Sequence, residues 1–134
     1  MAERSRASAF IDALHHAESQ GDIGPLVGMF APEAELENPA LHKPLRGPEG
    51  AREFWKVYVG TFREIHSEFR LVVETEQAAA LEWTSRGSAP DGRELVYDGV
   101  TLLVFEGDEI RRFRAYFDPR SLGAQLECRS VQAA

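Results

Sequence analysis

Asn38 closes a run in which Glu33, Glu35 and Glu37 alternate with Ala34, Leu36 and Asn38. Successive side chains of a strand point to opposite faces. The three glutamates must face water, so Asn38 shares the inner face with Ala34 and Leu36. An inward amide can position a water or a substrate oxygen, or it can be satisfied by backbone groups at the chain turn. Glu82 is the second candidate. Plain alternation puts its neighbours Leu81 and Trp83 inside and leaves Glu82, Thr84 and Arg86 in water. Turned inward instead, Glu82 would lose solvation of its charged form and become suited to accept or deliver a proton. Asp118 precedes Pro119, where a helix N-cap is the commoner use and an acid/base role the alternative.

The histidines at 15, 16, 42 and 66 lack metal-ligand spacing, and the neighbours His15 and His16 point different ways on a helix. No metal and no organic cofactor are therefore expected. The 134 residues carry 15 Lys and Arg against 22 Asp and Glu, a net charge of −7. That balance argues against nucleic acid and anionic membranes as partners. The stretch from Met1 to Gln20 is charged and helical rather than a secretory signal, and no apolar run is long enough to span a bilayer. The single cysteine, Cys128, excludes an internal disulfide and fits a reducing cytoplasm; the tail after it reads as frayed.

The elements that must position these residues are legible in order. Ala7, Phe10, Ile11, Leu14 and Ala17 make one side of a helix from about Arg4 to Ser19. Gly21 ends it, Asp22 can cap a second helix, and Ile23, Leu26, Val27 and Phe30 give that helix its stripe. After the strand ending at Pro39, Pro48 opens a third helix with Ala51, Phe54, Trp55, Tyr58 and Phe62 on one side. Ile65, Ser67, Phe69, Leu71 and Val73 then share one face of a strand, and His66, Glu68 and Arg70 the other. Ala78 to Arg86 forms the next strand. The hairpin from Arg93 to Asp118 organises the whole, because Leu95 to Phe105 is almost continuously apolar or β-branched and both its faces need cover. A two-residue turn at Gly107-Asp108 would pair Thr101 with Arg114, whereas a bulge would bring Ala115 inward. A terminal helix carrying Leu122 and Leu126 follows. Helices first and a meander after them predict an α+β fold of one domain spanning residues 1–134.

This order resembles the nuclear transport factor 2-like superfamily, and within it the SnoaL-like branch. The carriers are Gly21-Asp22 with Leu26 to Phe30, the segment Ala34-Glu35-Leu36-Glu37-Asn38-Pro39, Leu45-Arg46-Gly47 before the third helix, and Phe113-Arg114-Ala115-Tyr116-Phe117-Asp118. The resemblance implies a cone-shaped, curved antiparallel sheet with N-terminal helices packed on its concave face around a pocket. It also implies that Tyr97 and Thr101 hydrogen-bond within apolar walls formed with Leu36, Trp55, Tyr58, Phe113, Ala115 and Phe117. In ketosteroid isomerase, a worked case of pKa tuning, a catalytic aspartate precedes a proline. Asn38 holds the matching position here, so that base has become an amide. The limonene epoxide hydrolase pattern retains its asparagine at Asn38, but its tyrosine falls on Leu36, its Arg and Asp on Glu82 and Thr84, and its last aspartate on Ala115. The same pattern turns Glu82 and Thr84 into the pocket. The polyketide cyclase aspartate has its nearest counterpart in Asp118.

Two functions follow. The first is a cofactor-independent acid/base enzyme of isomerase, cyclase, dehydratase or hydrolase type acting on a small apolar molecule, with Asn38, Glu82 and Asp118 as its chemistry. The second is a non-catalytic module of the same fold that binds a hydrophobic ligand or dimerises. Retention of Asn38 and a buried Glu82 would favour the enzyme. A homodimer is expected in either case, because Val96, Val100, Leu102 and Val104, joined by Trp83, need cover on the face away from the helices.

Overall fold

The computed structural model describes residues 5–133, with side chains as far as residue 126; the side chain of Cys128 lies outside that set, and the backbone after it is helical to Ala133 where a frayed tail was expected. Helix α1 (Arg6–Gln20) starts where the Ser5 hydroxyl accepts the Ser8 amide at 3.0 Å and stops at Gly21, whose φ of 74° the other residues rarely adopt. Its buried side is Ala7, Phe10, Ala13, Leu14 and Ala17. Helix α2 is a single turn, Gly24–Val27. Phe30 does not extend it but opens strand β1 (Phe30–Glu37), correcting the expected stripe. The proline at position 25 and the glycines around it leave α2 too short to reach Phe30. A short β2 (Leu45–Arg46) leads into α3 (Gly47–Thr61), which buries Ala51, Phe54 and Trp55. Then come β3 (Glu64–Glu74), β4 (Ala78–Ser88), β5 (Glu94–Glu106), β6 (Glu109–Tyr116) and α4 (Pro119–Ala133).

The six strands form one curled, unclosed sheet in the order β2-β1-β6-β5-β4-β3. The meander from β3 to β6 is antiparallel, but β1 lies parallel to β6, so the sheet is mixed where a purely antiparallel one was expected. Phe10, Phe30, Phe54, Trp55 and Phe113 make a first aromatic core, with ring centroids 4.9–6.4 Å apart. Burying each such side chain is worth about 1.5–3 kcal/mol. A second, smaller core gathers Phe62, Ile65, Trp83, Ala89, Leu95 and Tyr97. Arg6 fastens α1 to the strand turns: its guanidinium stacks over Phe105 at 3.9 Å and donates to the carbonyls of Thr75, Glu76 and Gly107.

Two irregularities set which residues face the concave side. In β3 the register slips between Phe69 and Leu71, so Leu71 and Val73 turn outward and are 56% and 53% exposed. They do not continue the inner face of Ile65, Ser67 and Phe69 as alternation alone predicts. In β6 a bulge at Arg111, opposite Val104 and Phe105, pairs Thr101 with Ala115, not with Arg114. The bulged alternative is therefore the one adopted, and Ala115 is buried. Gly99 is needed at its place, because a Cβ there would fall on the Trp83 ring and on the Tyr116 carbonyl. Trp83 lies flat across that gap on the inner face and does not join the outer one. No helix among the described residues is long and apolar enough to cross a membrane.

Candidate functional site

Tyr58, Phe69 and Phe117 pack against both cores. Between them lies a cavity of about 380 Å³, within the size range of small-molecule sites. Its walls come from α1, α3, α4 and the concave face of β3 to β6. Of the residues that the sequence assigned to it, Asn38, Trp55, Tyr58, Tyr97, Thr101, Phe113, Ala115 and Phe117 do line it. Exposed lining residues lie on α3 (Glu53, Val57), at the start of α4 (Pro119) and after β1 (Ala40), and there the cavity meets solvent.

Four expectations need correction. Glu82 is exposed on the outer face and lines no part of the cavity; ordinary alternation in β4 prevails, with Leu81, Trp83 and Ser85 inside. Thr84 shares that outer face and is buried there, its hydroxyl donating to Asp98 at 2.6 Å. Asp118 is exposed and caps α4, its carboxylate accepting the amides of Arg120 at 2.9 Å and Ser121 at 3.3 Å. Leu36 is fully buried in the first core, away from the cavity wall.

Asn38 divides between its two readings. Its Oδ1 accepts the amides of Ala40 at 2.8 Å and Leu41 at 3.2 Å, closing the turn after β1. Its Nδ2 has no hydrogen-bond partner among the described residues, and the side chain borders the cavity. Next to it across β6 and β5 are Ala115 and Thr101, whose hydroxyl accepts the Trp83 indole N–H at 2.9 Å. This end of the cavity therefore offers hydrogen-bond donors.

The opposite end holds a polar group that the sequence reading missed. Ser67, Ser85 and Tyr97 stand directly opposite one another across β3, β4 and β5. The serine hydroxyls run into Glu18 on α1, whose side chain is 1% exposed. Glu18 accepts the Tyr58 hydroxyl at 2.6 Å, the Ser67 hydroxyl at 2.6 Å and the Ser67 amide at 2.9 Å. The Ser67 and Ser85 oxygens are 2.6 Å apart, and Tyr97 is the cross-strand neighbour of Ser85. Burial, reinforced by the neighbouring Glu18 charge, pushes the hydroxyls of Tyr58 and Tyr97 well above the ordinary tyrosine range. Both are neutral hydrogen-bonding groups at ordinary pH. Trp55 Nε1 is buried with no hydrogen-bond partner among the described residues, and the rings of Phe54, Tyr58 and Phe113 stand edge-on to the indole.

Behind this network His15 and His66 stack, with ring centroids 4.8 Å apart. Together with Glu18 they bring three ligand-capable atoms within 4.8 Å of one another, a proximity hidden by their separation along the chain. The grouping is already committed to other bonds. His15 Nε2 donates to the Ser67 carbonyl at 2.7 Å, and the Glu18 oxygens hold three donors. A metal ion there would have to displace them.

Glu18 carried a signal in the sequence. It falls four residues after Leu14 and seven after Ile11, on the apolar stripe of α1 where an acid is out of place.

Comparison with known proteins gives a consistent frame. A family model described as a SnoaL-like domain matches residues 8–113. Comparison with curated proteins gave no match. Among solved structures, a nuclear transport factor 2-like protein from Anabaena variabilis is 21% identical with a TM-score of 0.77, covering 90% of this chain and 96% of its own. TerC, crystallised with polyporic acid, is 18% identical at a TM-score of 0.78, with 92% and 99% covered. A SnoaL-like polyketide cyclase assigned from Jannaschia is 13% identical at 0.73, with 94% and 97% covered. At these identities the likeness concerns the fold.

Proposed function

This chain belongs to the SnoaL-like domain family, and on that premise we propose that it binds a small, largely apolar molecule in the cavity between its two cores. One observation carries the reading: a cavity walled by aromatic rings ends in hydroxyls tied to a buried carboxylate, Glu18. Apolar walls with a few convergent polar groups are the make-up of small-molecule sites. TerC, which shares the fold, was co-crystallised with polyporic acid.

The outward placement of Glu82 and the capping role of Asp118 remove two of the three groups on which an enzyme reading rested, so binding stands first. The Glu18 network supports catalysis as the second reading. A carboxylate joined to cavity hydroxyls could take up or return a proton in an isomerisation, cyclisation, dehydration or hydrolysis without a cofactor.

The two readings part on one experiment. A panel of bicyclic and tricyclic apolar compounds is titrated while Trp55 and Trp83 fluorescence and thermal midpoint are followed. Binding is expected to shift both, and Ala115→Phe, which fills the cavity, should abolish the response while the protein stays folded. No response to any compound in the wild type would overturn the binding reading. Turnover of a bound compound that is lost in Glu18→Gln, with binding retained, would establish the enzyme.

We also propose a homodimer formed through the outer face of the sheet, where Leu71, Val73, Val96, Leu102 and Tyr116 are exposed.

A further inference from the structure

Glu18 is a carboxylate buried without a full counter-charge. Its side chain is 1% exposed, and it is held by neutral donors, the hydroxyls of Tyr58 and Ser67 and the Ser67 amide. Among the described residues the one basic group within 4.0 Å is His66, through Nδ1; that side chain is 70% exposed and is charged only when protonated. Buried charges are ordinarily paired, because neutral hydrogen bonds replace only part of the lost solvation. On the outer side of Glu18 stand the stacked rings of His15 and His66. On the inner side lies the cavity, a single hydroxyl away through Tyr58 or Ser67.

The cavity itself holds no positive charge. No Lys, Arg or His lines it among the described residues, and Glu53, at its mouth, is its one charged lining residue. Around Tyr58 the wall is aromatic. Tyr58 and Phe62 have ring centroids 5.7 Å apart, and Tyr97 lies 6.2 Å from Phe62, 5.3 Å from Trp83 and 5.5 Å from Phe117. Aromatic rings attract a cation through their quadrupole, and groups of them recognise quaternary ammonium ligands. Tyr58 adds an oxygen whose hydrogen is spent on Glu18 and whose lone pairs remain. Burial, and after it the Glu18 charge, opposes ionisation of the Tyr58 and Tyr97 hydroxyls. For a cation in the same place the second effect becomes an attraction.

Resting on the binding reading above, we propose that the cavity selects an organic cation, an apolar body carrying one tertiary or quaternary ammonium, and seats the charged head among Tyr58, Phe62, Trp83, Tyr97 and Phe117, where it supplies the counter-charge of Glu18. An anion of the same shape would meet no cation in the cavity and two carboxylates near it.

The test uses phenyltrimethylammonium and tert-butylbenzene, which share one shape and differ in a nitrogen for a carbon and hence in charge. Each is titrated into the full chain while Trp55 and Trp83 fluorescence and thermal midpoint are followed. The cation is expected to bind about tenfold more tightly than the hydrocarbon. Glu18→Gln keeps the size of the side chain and removes its charge, and should bring the ratio close to one. Phe117→Leu removes one ring of the wall and should lower the ratio as well; it decides the matter should Glu18→Gln fail to fold. Equal or tighter binding of the hydrocarbon by the wild type, or a ratio that neither variant lowers, overturns the cation assignment alone. Binding of neither probe, with no other compound of the panel bound, overturns the binding reading and the assignment with it.

Discussion

Tyr58 and Tyr97 show how one buried carboxylate sets the behaviour of its neighbours. Burial, with the Glu18 charge behind it, holds both hydroxyls protonated far beyond the ordinary value of 10.0. The unfolded chain feels neither effect, so its tyrosines ionise near pH 10 while the folded ones keep their protons. Above that pH the folded state binds more protons than the unfolded state, and stability must fall as pH rises. Below about pH 9 the two tyrosines contribute no slope. Chemical denaturation at pH 9, 10 and 11 should show a steepening loss approaching about 1.4 kcal/mol per pH unit for each tyrosine. Tyr97→Phe is expected to remove roughly half of that slope. A flat profile from pH 9 to 11 would contradict the buried, carboxylate-facing placement of these hydroxyls.

At the scale of elements, legibility followed the regularity of the backbone. The inward turn of Asn38 could be read because β1 from Ala34 to Glu37 keeps strict alternation between Leu45-Arg46 on one side and β6 on the other. Leu71 and Val73 could not be read correctly, because the slip at Phe69 moves every later side chain of β3 to the opposite face and leaves no mark in residue type. The bulge at Arg111 was one of two registers that the Gly107-Asp108 turn allows, and pairing across the sheet decides between them. Ser67 and Ser85 were on inner positions by alternation, yet their meeting with Glu18 depends on how α1 crosses β3, which no local pattern encodes. Helix α4 is a further case: capping by Asp118 was visible, its seat was not. Arg93 donates to the carbonyls of Gln125 at 2.8 Å and Leu126 at 3.1 Å, and the Gln125 amide bonds both backbone groups of Val96. These bonds hold Leu122 and Leu126 over the cavity. Arg93→Ala is expected to speed amide exchange in residues 119–126 by about tenfold, with β4 to β6 unchanged. Uniform acceleration across the protein would show that Arg93 supports the whole fold and not this helix.

For the whole molecule, the concave face is covered by its own helices and the convex face is not. Across the middle of the convex side run two cross-strand rows: Val73, Ala80, Leu102 and Arg114, then Leu71, Glu82, Val100 and Tyr116. Leu71, Val73, Leu102 and Tyr116 are 38–56% exposed, and Val96 lies further along β5 at 43%. Soluble monomers rarely leave a contiguous apolar face of this kind uncovered. A second copy is the occupant whose surface matches by construction, since a two-fold axis lays each apolar row against its equivalent. Glu82 and Arg114 stand within the same face, with opposite charges that such an axis can bring together. In such a dimer the outward Glu82 would have a place that the cavity does not give it. The wild type is expected to be a dimer by light scattering at micromolar concentration. Leu102→Glu, which places a like charge on each side of the axis, should yield a folded monomer with the cavity response intact. A monomeric wild type, or a Leu102→Glu dimer as stable as the parent, would rule out this face as the interface.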